Sequence, residues 1–249
     1  MPNPNAPIVN AGLLYVNGLG IAKTAAKVIS MASGASRDST DTNDIILNSS
    51  ISINGANVGA NGVDVAAIVL NSFYAVYVIG DSTDYKPVAG LLSLNATTPS
   101  LPTTYDMYRR VGWVLTDGSA NILQFWQYGT GQQRMYYYDV GISALSGGSS
   151  TTYANVSLVA SVPPLATEVL FNVAYTPNAA GDIAHFLPFG SSATNGIIQF
   201  GYGVAGGAVQ VGMATVPCAL NSGVPTIQYK VITSDALTLL TLGYKDIIS

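Results

Sequence analysis

The sequence predicts an all-β protein: an antiparallel β-sandwich that is jelly-roll-like or divided into two β subdomains. Three observations predict it. Only 9% of the 249 residues are charged and Glu168 is the single glutamate, so charged helix-forming residues are scarce. Short runs of β-branched and aromatic residues recur along the chain. Clusters of Gly, Asn, Pro and Ser separate these runs at near-even spacing, which is typical of sandwiches and barrels.

The first quarter of the chain contains short strand patterns behind an extended arm. Residues 2–11 are rich in Asn and Pro and fit either an arm that reaches a neighbouring subunit or a frayed tail. Strands are expected at 13–16, 27–32 and 43–53. Residues 20–27 fit a strand or one helical turn. A loop rich in Asn and Gly then runs from residue 54 to residue 62.

The central segment has the clearest strand pattern. Phe73–Ile79 is apolar on both alternating faces, as in a strand buried on both sides. Arg110–Leu115 and Ile122–Tyr128 fit the two arms of a hairpin. Thr116–Asn121 is its turn, in which an Asp-Gly pair tolerates tight backbone angles. A further strand is expected at Arg134–Val140.

The Gly/Ser-rich segment 146–152 is the clearest break in the chain. It predicts an N-terminal β domain with the extended arm at 1–145 and a jelly-roll-like C-terminal β-sandwich at 153–249. Seven strands are expected in the second domain: Asn155–Ala160, Val169–Tyr175, Ala184–Leu187, Ile197–Tyr202, Ala208–Met213, Thr226–Ile232 and Leu237–Leu242.

The sparse charge has consequences for the surface. A soluble domain normally carries about 25% charged residues. Either much of this surface is buried in an oligomer or against a larger particle, or Ser, Thr, Asn and Gln keep it wet. Interfaces are depleted in Lys and Glu and enriched in Tyr, so the fifteen tyrosines favour the first interpretation.

The charge balance and the termini exclude several classes of partner. A net charge of −4 lacks the basic stripe of a nucleic-acid-binding protein, and the only basic pair, Arg109-Arg110, is expected to cap a turn or form a surface ion pair. The first residues lack a signal-peptide pattern. The longest apolar run, Val65–Gly80, is interrupted by Asn71-Ser72 and is shorter than the ~20 residues of a membrane helix. We therefore expect a protein made in a cytoplasm, without membrane insertion.

His185 is the only histidine and the first candidate for a general base. Asp182 precedes it by three residues and Ser191 and Ser192 follow it, which supplies the residue types of a Ser-His-Asp triad. No G-x-S-x-G phrase accompanies them. Because His185 stands in an apolar run, we expect a structural histidine. Cys218 is the only cysteine, so we expect a small buried hydrophobe and neither an internal disulfide nor a thiolate metal site.

Two motifs suggest a cofactor or a metal. Gly201–Gly206 matches G-x-G-x-x-G, but the dinucleotide fingerprint needs a helix after the last glycine, and the next residues predict a strand. We expect a hairpin turn and no cofactor. Asp38, Asp41 and Asp44 offer the oxygen ligands that Ca²⁺ prefers, but their segment lacks the glycine and closing glutamate of a calcium loop. We expect a solvated acidic turn and no metal.

The carboxylates and the aromatic residues are the candidates for glycan chemistry. Hydrolysis needs two carboxylates at a set separation. Asp81 and Asp84 share one loop, Glu168 stands alone, and nothing in the sequence selects a pair. No catalytic residue is therefore predicted.

The aromatic residues fit stacking on a sugar or a partner, but aromatic residues in strands more often belong to a core. This applies to Trp113, Trp126 and the run Tyr136–Tyr138. We expect the two tryptophans, one on each arm of the hairpin, to be well buried in the fold or between subunits.

The order of several short phrases resembles a module of structural proteins of tailed bacteriophages. In chain order these are GxxRDS (Gly34–Ser39), a tyrosine-rich strand ending in YVIGD (Tyr74–Asp81), AGLLS (Ala89–Ser93), Pro-x-Leu-Pro (Pro99–Pro102), Tyr105, RRVGW (Arg109–Trp113), a Thr-Asp-Gly hairpin (Thr116–Gly118) and a GY-x-D ending (Leu242–Asp246). The resemblance covers the first half of the chain and the last strand. It also favours a strand at residues 20–27.

The resemblance implies a non-enzymatic virion structural protein of a tailed bacteriophage. We expect an exposed homotrimeric appendage, namely a short fibre, a spike or a capsid-bound decoration. Its expected partners are other capsid or tail proteins, with a host surface glycan as a further candidate. Two alternatives stay open: a capsid cement protein without host contact, and a polysaccharide-degrading appendage enzyme.

Overall fold

A computed structural model describes residues 15–129, 131–192, 197–201 and 206–248. Within these residues the regular structure consists of twenty β-strands, mostly in antiparallel sheets, without a helix. This confirms the predicted all-β, sandwich-like class; the jelly-roll form stays a prediction. No helix of the described chain is long and apolar enough to cross a membrane. The predicted N-terminal arm lies outside the described residues.

The chain forms two compact units, which are Met1–Tyr136 with Asp246–Ser249, and Tyr137–Lys245. This division differs from the predicted domains, which were to be joined at residues 146–152. The reason lies in two long strands. Strand β12 (Gln133–Gly148) begins in the first unit and continues in the second, and β20 (Ala236–Ile247) begins in the second and ends in the first. The Gly/Ser-rich segment therefore starts inside a strand.

The first unit contains three sheets. Its strands, besides the ends of β12 and β20, are β1 (Val16–Gly18), β2 (Ile21–Ala25), β3 (Val28–Met31), β4 (Gly34–Arg37), β5 (Asp44–Leu47), β6 (Ile51–Asn54), β7 (Gly62–Val63), β8 (Phe73–Gly80), β9 (Ala89–Ser93), β10 (Met107–Leu115) and β11 (Phe125–Tyr128). The sheet orders are β1-β4-β5, β2-β3-β6 and β10-β8-β9-β7, with the β7–β9 pair parallel. β11 lies next to β12.

Strand β8 is the centre of the first unit. Its residues after Phe73 are all buried, as are all of β9. The predicted burial of Phe73–Ile79 on both faces is therefore confirmed from Tyr74 onward, and Phe73 is half-buried. The prediction for 20–27 is resolved in favour of strand β2. The single strand expected at 43–53 is wrong, because residues 48–50 interrupt it and β5 and β6 belong to different sheets.

The predicted central hairpin is wrong beyond its turn. Its arms share one bridge, Thr116 with Ile122, and then part. β10 is buried on both faces and pairs along its length with the likewise buried β8, whereas β11 joins β12. Within the turn, the Asp117 carboxylate accepts the N–H groups of Ser119 and Asn121 at 2.8 and 2.9 Å. The positive φ falls on Ala120 at 57°, not on the glycine of the Asp-Gly pair.

The second unit contains two sheets. Its remaining strands are β13 (Ala154–Ser157), β14 (Ala166–Thr176), β15 (Ala184–Pro188), β16 (Ile198–Phe200), β17 (Gln210–Pro217), β18 (Ala219–Asn221) and β19 (Val224–Lys230). One sheet has the order β12-β20-β14-β17 within this unit, and the other has the order β13-β19-β15-β16 with β18 on β19. Each of the seven predicted strand segments coincides with a strand, and β18 was missed.

Candidate functional site

Arg109 ties strand β10 to the loop after β4. Its Nε donates to the carbonyl oxygen of Arg37 at 2.8 Å, and its Nη2 donates to the carbonyl oxygen of Asp38 and to Asp41 Oδ1, the latter at 2.8 Å. The backbone continues the contact, since Ser39 N–H donates to the carbonyl oxygen of Tyr108 at 2.7 Å. The RRVGW and GxxRDS phrases, about 70 residues apart, therefore meet in the fold.

Asp38 braces this loop from within. Its buried carboxylate accepts the N–H groups of Thr42 and Asn43 at 2.9 and 3.3 Å and the Thr40 hydroxyl at 3.0 Å. Burial raises the pKa of Asp38, but these hydrogen bonds outweigh burial and hold the pKa below its usual value. The expected solvated acidic turn is wrong for Asp38 and for Asp44, which is also buried.

The three aspartates of the calcium hypothesis do not converge on one point. Asp38 faces its own loop, Asp41 pairs with Arg109 at 2.8 Å, and Asp44 pairs with Arg37 at 3.1 Å. Among the described residues, no group of three or more His, Cys, Asp or Glu side chains is placed to hold a metal ion. The carboxylates of this segment serve as ion-pair and loop-bracing groups.

Arg110, the next residue, holds the end of the chain. Its Nη1 lies 2.5 Å from Asp246 Oδ2, and its Nη2 donates to the carbonyl oxygen of Ile247 at 2.9 Å. Its guanidinium lies 5.1 Å from the centre of the Trp113 ring, within cation–π range. Arg110 and Asp246 are both buried. Burial raises the pKa of Asp246, against the lowering effect of Arg110 and Arg134.

Arg134 adds a second buried guanidinium. It donates to the carbonyl oxygens of Gly129 at 2.7 Å and Gly18 at 2.6 Å. Two residues later, the Tyr136 hydroxyl accepts Gln127 Nε2 at 2.6 Å, and a Cβ on Gly112 would collide with this hydroxyl. The glycine of RRVGW is therefore required by the close approach of Tyr136.

We call Arg110, Trp113, Arg134, Tyr136 and Asp246 the arginine cluster. The prediction that the Arg109-Arg110 pair caps a turn or lies on the surface is wrong. Both residues lie inside β10 and both are buried in ion pairs. Sequence reasoning also missed Asp246 and Arg134. The available signal was their charge: a chain with only 9% charged residues places few of them by chance within its strands.

The remaining phrases of the resemblance also hold the first unit together. The Asp81 carboxylate that ends YVIGD accepts the N–H groups of Thr83 and Lys86 at 2.9 and 3.0 Å. Tyr105 donates its N–H to the carbonyl oxygen of Pro102 at 3.1 Å and its hydroxyl to that of Pro87 at 3.0 Å. These residues brace loops of the fold.

His185 lies half-buried in β15 and is not assembled into a triad. Its Nδ1 is 3.5 Å from the Tyr153 hydroxyl, and Lys230 stands opposite it in β19. Burial and Lys230 lower the pKa of His185. The Asp182 carboxylate accepts the Ala179 N–H at 3.1 Å and the Thr233 hydroxyl, so the predicted acid is occupied elsewhere.

The other candidates are placed as follows. Residues 202–205 of the G-x-G-x-x-G match lie outside the described residues, and the segment after Gly206 is a turn followed by strand β17. Glu168 pairs with Lys245 at 3.2 Å, in the second unit, whereas Asp81 and Asp84 belong to the first. Burial raises the pKa of the Cys218 thiol to about 11, so the thiol is protonated at neutral pH.

The two tryptophans differ in exposure. Trp113 is 1% exposed, so its predicted burial is confirmed. Trp126 is 46% exposed, so its predicted burial within the fold is wrong; burial between subunits stays a prediction. Trp126 and Tyr128 lie on alternate residues of the short strand β11, and both are exposed. Tyr136 and Tyr138 are buried, as expected for core aromatics.

Among the open cavities of the described first unit, two have a carboxylate in their lining. One of about 610 Å³ is lined mainly by apolar residues of β5, β6 and the segment before β9, with Asp84 and Lys86 at its rim. Another of about 300 Å³ lies beside Asp64, whose Oδ2 accepts the hydroxyl of Ser93 at 2.6 Å. Neither brings a candidate nucleophile or base together with a second catalytic group.

No protein-family model matches this chain, and no curated protein matches it.

Proposed function

We propose that this chain is a non-enzymatic structural protein of a tailed-bacteriophage particle, exposed as a homotrimeric appendage: a short fibre, a spike or a capsid-bound decoration. One observation carries the proposal. Three phrases of the resemblance meet through the dipeptide Arg109-Arg110: Arg109 contacts the GxxRDS phrase and Arg110 pairs with Asp246 of the GY-x-D phrase. Phrases that are distant in sequence but joined in space are what a shared fold module requires.

The contacts also support a structural role for these phrases. Several of them form a stabilising contact within the first unit: an ion pair, a hydrogen-bonded loop or a close approach of two strands. A catalytic phrase would instead expose a reactive group in a cavity beside a partner residue. Of the carboxylates of the glycan hypothesis, Asp81 accepts hydrogen bonds within its own loop and Glu168 is paired with Lys245. This favours a structural protein over a polysaccharide-degrading enzyme.

The exposed aromatic pair on β11 favours an appendage with host contact over a pure cement protein. Trp126 and Tyr128 offer two rings on neighbouring exposed positions. Exposed aromatic faces stack on the apolar faces of sugar rings, and Trp and Tyr are also enriched in binding hot spots. We therefore propose β11 as the contact strand for a glycan on the host surface.

The proposal is tested on the particle. The coding sequence should lie among genes for capsid or tail proteins, and peptides of this chain should be found by mass spectrometry in particles purified by density gradient. Light scattering of the purified protein should give a mass near three times 25.8 kDa. A gene among unrelated metabolic genes, together with particles that lack the chain, would overturn the proposal.

A further inference from the structure

The sheet β12-β20-β14-β17 of the second unit has an inner and an outer face. Along β14, buried residues alternate with half-buried ones, so Val169, Phe171, Val173 and Tyr175 point inward. The strand register sets Val211 of β17 beside Ala174, and Met213 beside Asn172. The half-buried residues of β14 and the exposed residues of β17 therefore share the outer face.

The neighbouring strand continues this outer face. A Cβ on Gly141 of β12 would contact Leu240 and Leu242 of β20, which places these residues on one side of the sheet. Both leucines are half-buried, between buried neighbours. We define the outer face by eight residues: Leu170, Asn172, Ala174, Val211, Met213, Thr215, Leu240 and Leu242.

Six of the eight residues of the outer face are apolar, and the other two, Asn172 and Thr215, are polar but uncharged. Val211 and Met213 are 67% and 71% exposed, which is high for large apolar side chains within a strand. Two charged positions adjoin these eight residues on the same side of the sheet. Glu168, on the same side of β14 as Leu170, pairs with Lys245 at 3.2 Å, and the exposed Asp139 stands two residues before Gly141 on β12.

Strand β17 also forms an open edge. Among the described strands it is the last in its sheet and pairs only with β14. Its eight residues contain no Lys, Arg, Asp or Glu, and its proline stands at the end. Edge strands are normally protected by charges, bulges or an internal proline, because a bare edge pairs with another strand. An apolar edge without these devices marks an interface.

We infer that the outer face and the β17 edge are covered by a second copy of this chain. A neutral surface can meet its own copy without charge repulsion, whereas nucleic acid and anionic membranes require basic residues that it lacks. The eight residues belong to one side of the four strands β12-β20-β14-β17. With strands about 4.8 Å apart and about eight residues long, at about 3.3 Å per residue, that whole side measures roughly 500 Å². Specific interfaces bury about 600–1,000 Å² per partner, and pairing along the edge contributes the remainder.

This inference rests on the homotrimer proposed above and identifies the surface through which its subunits contact each other. Met213→Lys places a charge midway along β17, where the outer face meets the open edge, and an isolated subunit tolerates it because the side chain is exposed. Val159→Lys is the matched control, since Val159 is 60% exposed, lies after β13 and stands outside this sheet. Dissociation constants are measured by sedimentation equilibrium, and circular dichroism verifies the fold of each variant.

We expect Met213→Lys to raise the dissociation constant at least tenfold and Val159→Lys to leave it unchanged. Amide exchange within Gln210–Pro217 should slow as the wild-type concentration rises. If Met213→Lys does not fold, Thr215→Arg takes its place. Association of a folded variant at wild-type strength would overturn the location while leaving the virion role open. A wild-type protein that stays monomeric at the highest concentration of the sedimentation experiment would overturn the inference itself, and particle mass spectrometry would still decide the virion role.

Discussion

Arg110 in β10 and Asp246 in β20 form a buried ion pair, with 2.5 Å between Nη1 and Oδ2, across 136 positions of sequence. The pair fixes the end of the chain into the unit formed by its first half. A second contact, from Arg110 Nη2 to the carbonyl oxygen of Ile247, holds the same strand end at 2.9 Å. The first unit therefore includes residues from the end of β20 as well as the first 136 residues.

Breaking this pair should be costly. Asp246→Asn leaves the buried Arg110 and Arg134 without their carboxylate, and removal of one partner of a buried ion pair typically costs about 3–5 kcal/mol. Denaturant unfolding should show this loss in the free energy of unfolding. The double variant Arg110→Met/Asp246→Leu removes both charges and should recover a large part of the loss. A single variant as stable as the wild type would contradict a fold-holding role for the pair.

Arg109 should tolerate even lysine poorly. Its guanidinium donates to two carbonyl oxygens and to Asp41, and an ammonium cannot reproduce this planar fork. We expect Arg109→Lys to lose about 2–3 kcal/mol of unfolding free energy, the range of hydrogen bonds to charged groups.

Lys245→Ala is the matched control for Arg109→Lys. It removes the partly exposed pair with Glu168 and should cost at most about 1 kcal/mol. If denaturant unfolding shows the same loss of unfolding free energy for both substitutions, then burial of a charged residue does not determine how much it contributes to stability in this protein.

The local sequence pattern predicted the positions of many strands, but it did not predict which strands pair with each other. The alternation of Phe73–Ile79 and the turn residues of the last hundred positions predicted strands at the right places, because burial and turn geometry act over a few residues. β10 pairs with β8 and not with β11. Which partner a strand takes depends on how both strands are buried in the fold, and the sequence of one strand does not show this.

The buried charges were missed for a related reason. Arg109 and Arg110 look like surface residues because charged side chains are seldom fully buried without a partner. Their partners, Asp41 and Asp246, lie about 70 and 140 positions away, and no local pattern connects them. The exposure of Trp126 was missed likewise, since an aromatic residue in a strand fits a core and an interface equally well.

Acid should weaken the first unit through Asp38. Hydrogen bonds hold the folded-state pKa of Asp38 below its usual value, despite burial. A depressed carboxyl pKa stabilises the fold above the unfolded pKa of about 3.9, and this stability is lost as pH falls through the lower folded value. The melting temperature should therefore decrease when the pH is lowered below about 4. Asp38→Asn should lower stability at pH 7 by about 1–3 kcal/mol, because loop donors lose their charged acceptor.

The same variant provides the control for the pH effect. Without the carboxyl group, Asp38→Asn should show a smaller drop in melting temperature between pH 5 and pH 3 than the wild type. Identical acid profiles would mean that other carboxylates, such as Asp235 with its hydrogen bonds to Tyr175 and Asn178, carry the acid response.

His185→Ala should leave biological function intact. The ring contacts Tyr153 and faces Lys230, without a carboxylate or nucleophile beside it in the described contacts. We expect a modest loss of stability from the lost packing and unchanged particle assembly and cell binding. A purified wild type that depolymerises host polysaccharide, and an Asp81→Asn variant that does not, would contradict the structural role and establish an enzyme.

Substitution of each tryptophan should distinguish a residue that stabilises the fold from one that contacts the host cell. Trp113 is 1% exposed and packs beneath the Arg110 guanidinium, so Trp113→Ala should cost about 3–5 kcal/mol, a large part of the ~5–15 kcal/mol that holds a domain together. Trp126 is 46% exposed, so Trp126→Ala should leave the melting temperature nearly unchanged.

The effect of Trp126→Ala is expected instead on the binding of labelled protein to host cells, where loss of a stacking ring should weaken attachment. Tyr85→Ala removes another exposed aromatic ring and serves as the control. If Trp126→Ala binds cells as the wild type does, β11 is not the host-contact strand, and the cement alternative gains.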